Sequence, residues 1–290
     1  MGKKVSAEQT VIFILSALGQ FSMITINLGL VFYLRQRFAM EPQYIALLVS
    51  LCPITYFSGL LIFRGVVAAL KPVISVTIAI VGMGLSGLLI LIVRSPLPVY
   101  LLYGLYGLFM ALFWPPIMGW LSRGREGRNL SRAVAWFNLA WSSGLILGPY
   151  AAGILTEHTM GASLAAASAL MGLMLLIMLA AMLNNSVRST DSSKRHREAV
   201  KASDSSTYLR YICWIGVFTS YFVFGVTMNV FPIHANEMLG YQEGTVGLFL
   251  LLRALVTTGV FIVLGRAKFW QFRFSAVMLF QGMLLAALIV

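Results

Sequence analysis

The apolar residues of this chain come in long uninterrupted runs, and that pattern constrains its fold more than any motif does. The runs fall near 11–34, 43–63, 71–93, 97–121, 131–155, 160–183, 208–233, 244–264 and 272–290. Each approaches the ~20 residues that a helix needs to cross hydrocarbon. Helix is the conformation that suits them. An open strand would leave peptide groups unpaired in lipid, and barrel strands are shorter and alternate in polarity. The first run is too long for a signal-peptide core and has no small-residue cleavage pattern behind it, so it reads as a retained span. Charged residues make up 10% of the chain, too few to cover a soluble surface. The expected class is an all-α integral membrane protein, multi-pass and in the cell membrane.

The basic residues set its orientation. Of the 21 Lys and Arg, only Arg35, Arg37 and Arg94 fall in odd-numbered loops, and Arg253 alone lies deep inside a span. The others sit in the amino-terminal tail, in even-numbered loops or in the turns of span next to them. The positive-inside rule then places the amino terminus in the cytoplasm. The net charge of +12 becomes a topology signal facing anionic lipid, not a mark of nucleic-acid binding.

Residues 184–207, NNSVRSTDSSKRHREAVKASDSST, form the longest polar stretch. Rich in Ser and charge and free of aromatics, it reads as a flexible cytoplasmic linker or as a regulatory or partner-binding segment. It divides an amino-terminal unit of six spans, 1–183, from a second unit, 208–290, that holds three. Sliding the chain on itself by 201 residues lays the seventh span on the first and the eighth on the second. Tyr33 then meets His234, Ala46 meets Gly247, Cys52 meets Arg253, and Lys71 meets Phe272 where the third and ninth spans begin. Repeats with an even number of spans keep one orientation, which gives two parallel halves. Under this alignment Val290 corresponds to Leu89, short of Val93 where the third span ends, and nothing matches the fourth to sixth spans. The expectation is a chain that stops before its last helices, with three of an expected six spans in the second half.

At this point the chain resembles the major facilitator superfamily of secondary transporters. Six spans, a long basic cytoplasmic loop and a second set carry the likeness along essentially the whole length. Locally it rests on GLILGPYAAG at 144–153, similar to the family's Gly-rich motif in its fifth helix. Gly144, Gly148, Pro149 and Gly153 fit that motif, while Ala135 and Ala152 stand where the full motif has further glycines. The resemblance implies a two-half helical bundle that moves a small solute by alternating access, and the motif implies a lean toward export. Physically, small residues let backbones approach closely and Pro149 permits a bend, which suits either a tightly packed helix pair or a moving gate. Two other family marks are incomplete: FRGVVAALKP keeps Arg64, Gly65 and Lys71 without an acid, and the fourth span lacks an Arg.

Polar residues at membrane depth are the candidates for chemistry, because they are costly there. Arg253 sits midway along the eighth span with Thr257 one turn on, too deep to snorkel easily. It reads as a contact for a carboxylate or phosphate on the solute, or as the partner of an acid or dipole in another helix. No Asp or Glu lies inside any of the spans. Asn138, Trp141 and Ser142 share a helical face in the fifth span and could grip a polar solute or glue helices together. Asn27 and Asn229 nearly coincide in the repeat, and the family architecture would make their helices line the cavity. Trp114, Pro115 and Pro116 mark a bend in the fourth span. Gln20 and Gln281 are lesser candidates.

An enzyme is not expected. His158, His196 and His234 lie in loops or at a span end and form no metal-like cluster, and no intramembrane carboxylate pair exists. Cys52 and Cys213 read as small apolar packing groups, and no GxxxxGK[ST] loop appears. No cofactor is expected. The partners expected are a small-molecule solute and the bilayer, with the protein a monomer. A receptor-like or scaffolding membrane protein of the same fold is the alternative to a transporter.

Overall fold

In a computed structural model, residues 7–125, 127–184, 209–266 and 274–289 are described, and their regular structure is all helical. The helices before residue 184, called the first unit below, are α1 (Ala7–Phe38), α2 (Pro42–Ile62), α3 (Arg64–Ala69), α4 (Pro72–Ile92), α5 (Pro96–Met110), α6 (Trp114–Ser122), α7 (Gly127–His158) and α8 (Ala162–Leu183). The second comprises α9 (Leu209–Asn229), α10 (Phe231–Glu237), α11 (Glu243–Arg266) and α12 (Phe274–Ile289). Seven of these stretches, counting α5 and α6 as one, are long and apolar enough to cross a membrane. They coincide with the first six expected spans and the eighth, while α9 and α12 occupy the places of the seventh and ninth. The segment 184–207 lies outside the described residues except for Asn184, which caps α8.

Proline opens several of these helices. Pro42, Pro72 and Pro96 each take the first helical position, where a missing N–H costs nothing because no acceptor precedes it. At the fourth span the same residue breaks the helix. Pro115 and Pro116 cannot donate to Ala111 and Leu112, so α5 ends and the chain tightens into i→i−3 bonds: Ala111 to Leu108, 3.1 Å, Leu112 to Phe109, 2.9 Å, and Phe113 to Met110, 3.0 Å. The Ser75 hydroxyl of α4 then donates to the freed Leu112 carbonyl at 3.0 Å. The seventh span differs from a single helix over 208–233 for a related reason. Pro232 has no N–H to offer the Met228 carbonyl, and the chain restarts as the short α10.

Around α1 the first unit closes. α1 lies against α7 and α8, α4 bridges α5 and α8, and α2 lies along α5. Close approach requires glycine at Gly107 of α5, where a Cβ would press into the Thr55 hydroxyl and the Cys52 backbone of α2. Large side chains fill the rest of the interior, with Tyr103, Tyr106, Phe113 and Trp120 almost fully buried. The Trp120 indole N–H donates to the Glu8 carboxylate, tying α6 to the first turn of α1. The outward faces are apolar: Leu47, Phe57, Leu85, Ile92, Leu101 and Leu176 are all exposed. Lipid solvates such a sheath at no cost.

The Ser75 bond yields a prediction. Ser75→Ala leaves the Leu112 carbonyl without its donor in a medium that has no water to replace it, a loss of about 1 kcal/mol or more. Thr77→Ala is the control, since the Thr77 hydroxyl donates within its own helix to Val73, 2.8 Å. Thermal unfolding in detergent should fall for Ser75→Ala and stay near wild type for Thr77→Ala; equal shifts would refute the assignment.

Candidate functional site

The two units meet along a seam between α7 and α11, with α1 and α9 flanking it. The Gly-rich run of α7 serves both of its neighbours. Gly144 and Gly148 face α1: a Cβ at Gly144 would strike the Ala17 carbonyl and Phe21 amide, and one at Gly148 would lie 3.0 Å from Ile24. One residue on, the face turns. Pro149 and Gly153 meet α11, where a Cβ at Gly153 would strike the Glu243 carbonyl and one at Gly247 would lie 2.7 Å from the Pro149 carbonyl oxygen. Half of the motif therefore holds α7 inside the first unit, and half forms the seam. The Thr25 hydroxyl of α1 adds a bond to the Gly148 carbonyl at 3.3 Å.

Among the described residues, polar contacts close the seam at one end. Arg35 forms an ion pair with Glu237, and Gln36 Nε2 donates to Glu243 Oε1 at 3.2 Å. The Gly244 amide donates to Glu157 Oε2 at 3.1 Å. These groups come from the carboxyl ends of α1, α7 and α10 and the start of α11. Away from that end, the seam face of α11 stays buried from Val246 through Ala254 and becomes exposed at Thr257. The matching face of α7 is buried from Ala152 to Leu145 and exposed at Asn138 and Ala135. Among the described residues, the seam is thus shut at one end and exposed toward the other.

Arg253 lies where the seam changes from buried to exposed. Its NH2 group donates to the Met228 sulfur at 3.3 Å, and its guanidinium stands 5.0 Å from the centroid of the Phe224 ring. Its Nε is buried without a hydrogen-bond partner. Glu243 begins the same helix, about 15 Å away at 1.5 Å per residue. A thioether is a weak acceptor, so this cation is poorly satisfied by its surroundings. Thr257 shares the helix face, but its hydroxyl donates to the Arg253 carbonyl, 2.9 Å, and is occupied there.

The other candidates divide. Trp141 touches both hydrophobic clusters, the interior of the first unit and the seam, with Ser142 buried beside it. Asn138 is exposed on the open stretch of the same face. Asn229 donates to the Gly225 carbonyl, 2.9 Å, and its Oδ1 is buried without a partner. Asn27 turns into the first unit, donating to the Tyr103 hydroxyl at 3.0 Å, and that hydroxyl also contacts Cys52. Trp114 packs edge-on against Phe113 and Phe137 beside Pro115 at the α5–α6 break, away from the seam. Gln20 is buried against Gly144, and Gln281 of α12 lies against Gly216 of α9. The Cys213 side chain lies outside the described residues.

Sequence reasoning did not find Phe224, Met228 or the charged groups at the closed end. Phe224 and Met228 stand one turn apart on the seventh span, a spacing that could have marked them as one face. Nothing in the sequence pairs Arg35 with Glu237, because they approach only once the units meet. Among the described residues, no group of three His, Cys, Asp or Glu side chains could hold a metal ion.

Comparison with known proteins bears on the family and the fold. The sequence model of the Major Facilitator Superfamily matches residues 12–290. The fold is similar to that of the peptide transporter POT in complex with sulfate, with a TM-score of 0.63, 14% identity, and coverage of 92% of this chain and 70% of that one. A mutant of POT in complex with alafosfalin gives a TM-score of 0.63 at 13% identity, covering 89% of this chain and 68% of the other. No curated protein matches the chain.

Bulk at the seam tests its packing. Gly153→Val should lower the melting temperature in detergent by several degrees, since the Glu243 backbone cannot move aside cheaply. Gly172→Val on α8, where a Cβ meets nothing within 4 Å, should leave it unchanged. Equal behaviour of the two variants would sink the seam assignment.

Proposed function

This chain belongs to the Major Facilitator Superfamily, and we propose that it carries a small anionic solute across the cell membrane, with Arg253 as the electrostatic anchor. A secondary transporter of this superfamily is a multi-pass membrane protein and not an enzyme. The observation that carries the anionic reading is the poorly satisfied guanidinium of Arg253 at the opening of the seam. A central Arg costs about 2.5–3.5 kcal/mol on insertion-based scales, so a residue with no acid near it among the described residues at that depth calls for a functional partner. An anionic solute supplies that partner, and only while it is bound.

The remaining residues take roles around this anchor. Trp141 offers an apolar stacking surface, and Asn138 and Asn229 offer hydrogen bonds to the polar parts of the solute. Asn27 positions Tyr103 behind this surface. With the amino terminus in the cytoplasm, the shut end of the seam is the outer one and the solute enters or leaves from inside. Gly153, Gly247 and Pro149 let α7 and α11 meet closely at the outer end, and Arg35–Glu237, Gln36–Glu243 and Glu157–Gly244 latch it. Gly144 and Gly148 keep α7 rigid on α1 while the seam opens, and the break at Trp114–Pro115 lets the fourth span flex. The likeness of the α7 run to an exporter motif favours outward transport.

Two measurements test this reading. In proteoliposomes, Arg253→Ala should lower flux of a panel of radiolabelled organic anions by about tenfold or more, with folding and insertion intact. Undiminished flux would remove Arg253 from the site. A reducible bifunctional methanethiosulfonate cross-link between Cys residues replacing Arg35 and Glu237, long enough to span the two side chains, should hold the outer end shut and stop flux until a reductant is added. Flux unaffected by that cross-link would show that this end does not open during transport.

A further inference from the structure

Around Arg253 the contacts are uneven. The face of the guanidinium is covered by the Phe224 ring, its Nε edge is sealed from solvent, and its NH2 group meets the sulfur of Met228. Met228 is itself buried, 1% exposed, and belongs to the seam cluster with Leu250, Ala254 and Ile24. A thioether accepts hydrogen bonds weakly, whereas an anionic oxygen in the same place would make a short, charge-assisted bond. Methionine is also unbranched, with rotatable bonds that let it vacate a position without moving the backbone.

We propose that Met228 is a displaceable stand-in for the solute's oxyanion: its sulfur holds the NH2 position that a carboxylate takes, and its side chain swings aside when the solute binds. This rests on the reading of Arg253 as the solute's anchor. The seam cluster that holds Met228 includes Leu250 and Ala254 with Phe224 packed against it, all apolar. The solute class is therefore a carboxylate whose neighbouring group is apolar or aromatic, not a small, fully hydrated anion. Such a group recovers the packing that Met228 gives up, while its carboxylate satisfies the guanidinium better than sulfur does. A sulfate ion would displace Met228 and leave an apolar space unfilled.

The test is binding of benzoate and of sulfate to the purified full chain in detergent, measured by calorimetry. Benzoate should bind wild type more tightly than sulfate. Met228→Leu keeps the volume but removes the competing acceptor, and should tighten benzoate about threefold. Met228→Gln places a stronger acceptor against Arg253 and should weaken it about tenfold. On an Arg253→Ala background the two Met228 substitutions should no longer differ. Equal benzoate affinity in wild type, Met228→Leu and Met228→Gln would overturn the stand-in, even if Arg253→Ala abolished binding and so upheld the anchor. Benzoate binding that survives Arg253→Ala would overturn both, and a preference for sulfate would overturn the solute class.

Discussion

Hydrocarbon offers no hydrogen bonds, and every feature of this fold answers to that. Peptide groups must be satisfied within their own helix, so each apolar run is helical and each break needs a substitute donor or a restart. The fourth span shows the first solution. Pro116 frees the Leu112 carbonyl, and the Ser75 hydroxyl from a neighbouring helix supplies the missing bond. The seventh span shows the second, where Pro232 ends one helix and α10 begins another. The same constraint disciplines side-chain hydroxyls, so Ser16, Thr55, Ser86 and Thr257 donate back to their own helices.

Without a hydrophobic driving force between helices, their association rests on packing and a few polar bonds. That explains why the Gly-rich run of α7 has two jobs. Its i, i+4 pairs lie on adjacent faces, one pressed to α1 and the other to α11. A helix held firmly on one side and closely apposed on the other can keep its unit rigid while its outer face forms a separable contact. The polar bonds gather at one end of the seam, where water can replace them when they part. A seam of this kind separates at modest cost.

Among the described residues, the hydroxyls of Ser22, Tyr106 and Ser168, Asn229 Oδ1 and Arg253 Nε depart from these rules, and Arg253 is the charged one. A cation at membrane depth that meets a sulfur and a ring face is poorly satisfied, and for a charge that costs more than for a hydroxyl. Buried polar groups left this way in a native structure ask for a functional explanation. Its position at the change from buried to exposed seam supplies the context, because a group there can be sealed in or reached as the units move.

Seven of the nine expected spans were legible in the sequence, since apolar length marks what can cross a bilayer. So was the bend at Trp114–Pro116, because proline breaks a helix wherever it lies. Arg253 stood out for its cost in lipid before any neighbour was known. What the sequence could not say was which helix each residue faces. Asn27 looked like a cavity residue by its repeat position, yet its donor goes to Tyr103 in its own unit, 76 residues away. Arg35 reads in the sequence only as a basic residue of an odd-numbered loop, and its pairing with Glu237 arises where the two units meet. Helical period assigns a residue to a stripe, but only the tertiary arrangement decides whether that stripe meets lipid, its own unit or the seam. The physical reason is that lipid-facing and protein-facing stripes are equally apolar here, so hydrophobicity marks the span and leaves its orientation to packing.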